Sequence, residues 1–417
     1  MSVAIANSVP AAHGDRDDLR TIGLVGLAHF NSHFLLLALA PLLPLIKTEF
    51  DVSFTQLGFL LTLFFATSGA GQVVAGVLVD RFGSHRLLLS GMALQAVSVV
   101  AMGFAPSFVY LIPLTFFAGI GNTVYHPSDL SILSRRVSRK RQGRAFATHA
   151  MAGSLGFALS PIAVGLAAAA WGWRAALFGA GVLGLAIALT MLVNRSALRT
   201  DEVPPQAASE TERTEGPAPR MGFLQILAMP VVLFGFGFFF LSTLALAGLM
   251  NFTVSALTEP HYGVTLALAT LAAAVVQFGA VGGTLAGGVV ADRLGHHDRI
   301  AIAGCVGAAI LVLPVAHAGL PLWLIVVLLL LVGVSYGATL PSRDMLIRQS
   351  APRGNLGKTF GTVYSGLDAG SLVGPLIIGP MLDIGAPQWL FVMAAASLLL
   401  ATFTVAGIRA TGGAAAR

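Results

Sequence analysis

The sequence predicts an all-α membrane protein in which twelve transmembrane helices form two pseudo-symmetric bundles of six. Of its 417 residues, 56% are hydrophobic and only 10% are charged, whereas a soluble domain has about 25% charged residues. Apolar runs long enough to cross a bilayer recur along the chain, and about 20 apolar residues suffice for one crossing. The two halves also repeat each other. Together these observations exclude a soluble fold.

Gly, Pro and charge clusters divide the apolar runs into twelve predicted helices. The first six lie near residues 20–46, 54–79, 86–105, 107–133, 144–170 and 174–194, and the last six near 222–257, 265–291, 299–317, 320–346, 356–382 and 387–408. We therefore expect an N-terminal bundle over 20–194 and a C-terminal bundle over 222–408. Residues 195–221 are rich in proline and polar side chains and are predicted to be a linker, with short tails at 1–19 and 409–417.

The basic residues predict the orientation. The net charge is +6, but Lys and Arg are spread over short connections rather than gathered on one face, so we expect no nucleic-acid partner. The even-numbered connections carry many arginines, whereas the odd-numbered ones carry only Lys47 and Arg174. Because basic loops stay in the cytoplasm, both termini are predicted to be cytoplasmic. One cysteine, Cys305, allows no intrachain disulfide.

The internal repeat is read from residues that align at a constant spacing. At an offset of 214, the aligned pairs are Gly119 with Gly333, Pro127–Ser128 with Pro341–Ser342, Phe146 with Phe360, Gly156 with Gly370 and Pro161 with Pro375. At an offset of 212, Gly76, Asp80, Arg81 and Gly83 align with Gly288, Asp292, Arg293 and Gly295. The constant spacing of these matches predicts that the two bundles are repeats of one six-helix unit.

The segment Gly76, Asp80, Arg81, Gly83 and Arg86, between predicted helices 2 and 3, resembles the signature loop of the major facilitator superfamily. Its second copy is Gly288, Asp292, Arg293 and Gly295. Gly83 suits a tight turn, and the arginines lie at a helix C-terminus where positive charge is favoured. The resemblance implies a gating role for both loops; a purely structural role at the membrane surface is the alternative.

Predicted helices 5 and 11 are similar to the Gly-Pro element of the superfamily's proton antiporters. Pro161 and Pro375 are therefore candidate hinges, with close helix packing as the alternative. Ser160 stands where that element has Gly, and Thr115 stands where many proton-coupled members have Arg.

Within the superfamily, the first half resembles the fosmidomycin-resistance group of efflux carriers. The matching residues are Ala28-His29-Phe30, Pro41 and Pro44, the segment Ser53 to Gly58, and His126-Pro127. At the position where the group has Asp, this sequence has His33.

Ionisable and polar side chains inside the predicted helices are the candidate transport site, because each costs about 2.5–3.5 kcal/mol in hydrocarbon when charged. The resemblance places helices 1, 4, 7 and 10 around a central cavity. The candidates for the substrate and proton pathway are His29, His33, Asn122, Tyr125, His126, Asp129, Asn251, Tyr336, Arg343, Asp344 and Asp368.

Several of these residues allow a structural interpretation. His29, and likewise His149 in helix 5, could bond a backbone carbonyl; Asp129 could pair with an arginine of the next loop; and Arg343 with Asp344 could be a structural ion pair or a snorkelling arginine. His29, His33, His126 and Asp129 could also bind a divalent metal ion, although we expect no resident metal.

The sequence contains no phosphate loop and no nucleophile with a base at readable spacing, so we expect neither an enzyme nor a cofactor. It predicts a monomeric secondary transporter of the bacterial inner membrane, in contact with lipid. Proton-coupled efflux of a drug or metabolite is the first hypothesis. Uptake of a small organic anion with protons is the second; metal transport and a non-transporting receptor are further alternatives.

Overall fold

The computed structural model describes residues 15–200, 222–350 and 355–415, and the described residues form helices joined by short connections. Eleven helices are long and apolar enough to cross a membrane. One of them has 55 residues and contains a break at Gly172, so it makes two crossings and the described chain makes twelve. The crossings are α1 (Asp15–Leu36 and Leu43–Phe50), α2 (Phe54–Phe82), α3 (Ser84–Met102), α4 (Phe108–Asn122 and Tyr125–Arg136), α5 (139–171), α6 (173–193), α7 (Pro230–Thr258), α8 (Leu266–Leu294), α9 (His297–Val312), α10 (Leu322–Gly337 and Leu340–Ser350), α11 (Leu356–Asp383) and α12 (Trp389–Ala415).

The number of crossings confirms the prediction, but several helix bounds differ from it. Helix α1 is interrupted after Leu36 and resumes at Leu43 beyond a short 3-10 turn that contains Pro41. Helix α7 begins at Pro230, after a separate helix Phe223–Leu227. Proline explains both, since it fits the first helical turn but disrupts a helix interior. Helix α12 continues to Ala415 rather than ending at 408. Most of the predicted linker, 201–221, lies outside the described residues.

Helices α4 and α10 share an interruption at equivalent positions of the repeat. Each helix stops for two residues, after Asn122 in α4 and after Gly337 in α10. In both, a proline lies early in the second segment, Pro127 or Pro341. Such a proline has no N–H and its ring clashes with the carbonyl four residues earlier, which explains the break. The second segments carry His126 and Asp129 in α4 and Arg343 and Asp344 in α10.

The two bundles meet tightly at the end of the molecule that carries the α1–α2 and α11–α12 connections, which we call the closed end. The Asp383 carboxylate accepts hydrogen bonds from the backbone N–H groups of Phe54 (2.6 Å) and Thr55 (2.9 Å) and from the Thr55 hydroxyl (2.6 Å). The carboxylate at the C-terminus of α11 thus satisfies the free N–H groups at the N-terminus of α2 in the other bundle.

Further along the same faces, α2 and α11 remain in close contact. A Cβ placed on Gly58 would lie 2.6 Å from the Pro375 carbonyl oxygen, and Thr62 donates to the Leu372 carbonyl at 3.0 Å. At Gly69, a Cβ would still meet Asp368 at 3.4 Å. Only glycine permits the closest of these approaches, so this half of the interface is tightly packed.

Beyond Gly69 and Asp368 the two helices separate. Gly76 continues the contacting face of α2 and Gly361 that of α11, yet a Cβ on either residue would meet no atom within 4 Å. Val77 is 67% exposed. The bundles therefore diverge toward the end with the α2–α3 and α10–α11 connections, which we call the open end.

Candidate functional site

Four histidines and one aspartate form a cluster inside the N-terminal bundle, in which His29, Asp129 and His149 are buried. His149 Nε2 lies 3.2 Å from Asp129 Oδ2, and His29 Nδ1 lies 3.6 Å from the same oxygen. The His29 and His149 rings stack with centroids 3.6 Å apart. His33 and His126 adjoin His29, at centroid distances of 4.4 and 5.1 Å. We call His29, His33, His126, Asp129 and His149 the histidine cluster.

Small residues on α5 make room for this cluster against α1. A Cβ on Gly153 would come within 2.6 Å of the His29 ring and 2.9 Å of His33 Nδ1, and one on Gly156 would lie 2.4 Å from the Phe30 carbonyl oxygen. Gly153 follows His149 by one helical turn. One face of α5 therefore carries a histidine and, next to it, a glycine that leaves space for His29 and His33 of α1. The predicted approach of the helices at Gly156 is present.

Asp129 does not pair with an arginine of the following loop, which was one expectation from the sequence. It is fully buried, and the imidazoles of α1 and α5 lie closer to it. His29 and His149 likewise contact this carboxylate rather than a backbone carbonyl. These contacts depend on how α1 and α5 pack against α4, which spacing along a single helix does not indicate. His126, in contrast, is exposed.

Part of the cluster is buried without hydrogen-bond partners. Among the described residues, Asp129 Oδ1, His29 Nδ1 and His33 Nδ1 have no hydrogen bond. Buried polar atoms in this state are costly, on the order of 1–3 kcal/mol each. These three atoms therefore retain unused hydrogen-bonding capacity.

The imidazoles are close enough for a metal ion to be considered. Ligand atoms of His29, His126 and His149 lie within 4.8 Å of one another. However, His149 Nε2 and His29 Nδ1 both face the same carboxylate oxygen, Asp129 Oδ2, at 3.2 and 3.6 Å. The point on which these two nitrogens converge is thus taken by the carboxylate, and the contacts are those of imidazoles around an acid rather than of a metal centre with three imidazole ligands.

Asn122 and Tyr125, which the sequence placed in the pathway, instead belong to a polar network that joins α1 to α4. Asn31 donates to the Tyr125 hydroxyl oxygen (3.0 Å), and Ser32 donates to the Asn122 side-chain oxygen (2.9 Å). Asn122 donates in turn to Ser68 of α2 (2.8 Å). The network holds three helices in register next to the histidine cluster.

A cavity of about 330 Å³ lies between the bundles. Its walls are largely apolar, from residues such as Leu36, Phe65 and Leu246. Asn251, Gln277, Tyr336 and Arg343 of the C-terminal bundle also line it. The Asn251 side-chain oxygen and the Gln277 side-chain nitrogen are buried without hydrogen-bond partners in the described structure.

Phe157 of α5 connects the cavity with the histidine cluster. It lines the cavity, and its ring centroid lies 4.0 Å from that of His33. His33 is thus separated from the cavity by the thickness of one ring. Neither Phe157 nor Gly153 was selected from the sequence, although the series His149, Gly153 and Phe157, spaced by four, marks one face of α5.

Arg343 and Asp344 form the ion pair that the sequence allowed. Arg343 Nε donates to Asp344 Oδ1 at 3.0 Å, and the Arg343 side chain is 11% exposed against 44% for Asp344. The Arg343 guanidinium also lies over the Phe239 ring, 4.3 Å from its centroid. Because Arg343 lines the cavity as well, the position of the pair also allows contact with a bound substrate. Bidentate guanidinium donors suit carboxylate, phosphonate and sulfonate groups.

The remaining candidates lie outside the cavity. Asp368 is exposed and packs against Gly69 between α2 and α11. Pro161 and Pro375 lie inside α5 and α11. The predicted gating residues Gly76, Asp80, Arg81, Gly83 and Arg86 lie at the open end, as does their second copy, Gly288, Asp292, Arg293 and Gly295. Gly83 and Gly295 adopt φ of 86° and 63°, which confirms that the turns require glycine.

Comparison with known proteins supports the same fold and activity class. The family model of the Major Facilitator Superfamily matches residues 25–321 and 246–412. The fosmidomycin resistance protein of Escherichia coli is 22% identical over 70% of each chain, and the cis,cis-muconate transport protein of Acinetobacter baylyi is 23% identical over 85% of each. A bacterial homologue of the human lysosomal transporter Spinster, solved inward-facing and unoccupied, superposes with a TM-score of 0.70 over 96% of each chain, at 16% identity. The chain belongs to the Major Facilitator Superfamily and is a multi-pass membrane transporter, not an enzyme.

Proposed function

We propose that this protein is a proton-coupled secondary transporter that exports a small amphipathic drug or metabolite from the cytoplasm of a bacterium. In this proposal it works as a monomer in the inner membrane with both termini in the cytoplasm. The observation that carries the proposal is the histidine cluster, which lies one aromatic ring away from the cavity between the bundles.

The cluster supports proton coupling because imidazole and carboxyl side chains are the groups that bind and release protons when their surroundings change. His126 is exposed, and in this proposal it exchanges protons with water. Asp129, in contact with His29 and His149, would hold the proton in the interior. Rocking of the bundles changes which side of the membrane reaches His126, and the proton gradient then drives the cycle.

The cavity supports a small amphipathic substrate. Its volume of about 330 Å³ is at the lower end of the range for sites of small molecules, roughly 300–1,000 Å³. Apolar walls with a few polar groups are typical of such sites. The fosmidomycin resistance relative supports efflux in particular, since its name describes resistance to a drug.

The arginine-rich connections lie at the open end, and the preference of such loops for the cytoplasm makes this an inward-open conformation. Substrate would enter from the cytoplasm while the cap of Asp383 on α2 keeps the outer end closed. In the outward-open state, the loops around Asp80 and Asp292 would approach each other's bundle and act as the inner gate.

The test is proton movement in proteoliposomes that contain the purified protein. Pools of cationic drugs and of anionic metabolites are added while the internal pH is followed, for the wild type, His33→Ala and Asp129→Asn. We expect a proton signal with one pool that both variants lose. A substrate flux of unchanged size without any proton movement would refute coupling.

A second candidate, uptake of a small organic anion together with protons, is favoured by Arg343 in the cavity. The muconate transport relative supports this reading, because its name describes transport of a dicarboxylate. Cell accumulation separates the two: expression lowers substrate content for an exporter and raises it for an importer. Flux of a divalent metal without any organic substrate would point to metal transport, and no flux at all to a receptor.

A further inference from the structure

A strongly basic pocket lies at the open end, beside the α2–α3 connection. It has a volume of about 290 Å³, and Arg81, Arg86 and Arg135 line it together with Asp80 and the hydroxyl-bearing Thr200. In the described residues no carboxylate lies within 4.0 Å of these arginines, and Arg81 and Arg86 are exposed. Three guanidinium groups against one carboxylate leave an excess of positive charge, which favours an anionic group with several oxygen atoms.

An apolar groove of about 320 Å³ begins where the basic pocket ends. Helices α2, α3 and α4 form it, through residues that include Val74, Leu78, Leu94 and Ile120. Consecutive residues join the two spaces: Val79 lines the pocket and Leu78 the groove, and Arg86 lines the pocket and Leu87 the groove.

The groove lies on membrane-spanning helices, at the depth of the acyl chains next to the interface. Val74, on its wall, is 58% exposed. Gly71 and Gly91 lie along it, and each packs so closely against α4 that a Cβ would come within 2.3 Å of Thr123 or Val124 side-chain atoms. The closely packed helices form the floor of the groove and the exposed side chains form its wall. Between them is room for a flexible acyl chain.

We propose that the pocket and the groove together bind one anionic phospholipid, with its phosphate among Arg81, Arg86 and Arg135 and one acyl chain along the groove. Charge complementarity selects the headgroup, since each basic residue near an anionic lipid adds to the electrostatic attraction. Asp80 and Thr200 suit the hydroxyl groups of a glycerol headgroup, as in phosphatidylglycerol. The bound lipid would bridge α2, α3 and α4 at the loop predicted to gate the transporter.

The test is lipid binding to the full-length protein in detergent, followed by native mass spectrometry and by thermal unfolding. Phosphatidylglycerol, phosphatidylethanolamine and phosphatidylcholine with identical chains are compared with inorganic phosphate. We expect phosphatidylglycerol to bind at least about tenfold more tightly than either zwitterionic lipid. Equal binding of the three lipids would overturn the proposal, and stabilisation by inorganic phosphate alone would assign the pocket to a free anion instead.

Two variants separate the headgroup from the chain. The double variant Arg86→Gln with Arg135→Gln should lose the preference for phosphatidylglycerol. Val74→Trp should instead weaken the binding of all three lipids at this site, without making the pocket selective for inorganic phosphate. The matched control, Arg293→Gln with Arg299→Gln, changes the repeated loop of the other bundle and should bind as the wild type does. If the double variant does not fold, the wild-type lipid series and Val74→Trp still decide the question.

Discussion

The two bundles share a repeat but carry different chemistry at equivalent positions. Because Pro127–Ser128 align with Pro341–Ser342, Asp129 of α4 aligns with Arg343 of α10. Asp129 is fully buried among imidazoles, whereas Arg343 lines the cavity. Both residues lie after the same helix break. The comparison suggests that the N-terminal bundle holds protons and the C-terminal bundle holds substrate, so each function could be altered with little effect on the other.

The largest effect is expected from Asp129→Asn, which tests whether the N-terminal bundle holds the protons. The amide keeps the shape but cannot take up a proton, so we expect substrate-driven proton movement to fall by about 100-fold, near the upper end of measured couplings. Substrate binding should change little. Asp51→Asn is the control, since Asp51 is exposed and its left-handed backbone tolerates asparagine. Coupling that survives Asp129→Asn would break the comparison.

Arg343→Gln tests the other half. Loss of a charged hydrogen bond costs about 1.5–3 kcal/mol, so an anionic substrate should bind about 10- to 100-fold more weakly. Proton uptake by the protein without substrate should persist. Arg348→Gln, on the exposed end of the same helix, is the control in equilibrium binding. If a neutral or cationic substrate binds equally well to both variants, Arg343 is not a recognition residue.

Gly153→Ala should disturb the histidine cluster without removing a titratable group. The added Cβ would lie 2.6 Å from the His29 ring, and overpacking of this kind costs about 1–3 kcal/mol. We expect the pH dependence of transport to move and its rate to fall by about tenfold. Gly143→Ala is the matched control on the same helix, because its Cβ would meet no atom within 4 Å. An unchanged pH profile would separate the cluster from transport.

The smallest effect is expected for Asp383→Asn, which weakens the contact between the bundles. A charge at a helix N-terminus contributes about 0.3–1 kcal/mol, so the balance between conformations should shift by roughly twofold to fivefold toward opening of the closed end. Spin labels on cysteines placed at Ser107 and Ala386, with Cys305 replaced, measure the distance between the bundles there. Thr55→Val removes one of the hydrogen bonds and should shift the balance less.

The sequence predicted the twelve crossings and the repeat because both depend on local composition and spacing. It placed His29 with His33 on one face of α1 and His126 with Asp129 on one face of α4, since i, i+3 and i+4 spacing does so. It did not predict that His149 approaches Asp129, because that contact depends on how α5 packs against α4. Asp383 was also missed: its partners Phe54 and Thr55 lie 329 and 328 residues away, and no local pattern indicates such a contact.

The positions at which helices break were also beyond what local sequence patterns indicate. Pro127 and Pro341 were recognised as repeated residues, but their effect on the path of α4 and α10 requires knowledge of where the first segment ends. Burial cannot be read from a sequence in which apolar residues face both lipid and core.

The separation of α2 and α11 beyond Gly69 and Asp368 has a mechanical consequence. Gly69 lies eleven residues from Gly58, or about 16 Å along the helix axis. A rotation of about 15°, similar to that of haemoglobin subunits, would move a point at that distance by about 4 Å. That displacement would break the Gly58 contact with Pro375. If the bundles rotate about a point near the middle of α2 and α11, one end of the transporter opens by the distance that the other end closes. Asp368 lies at that point.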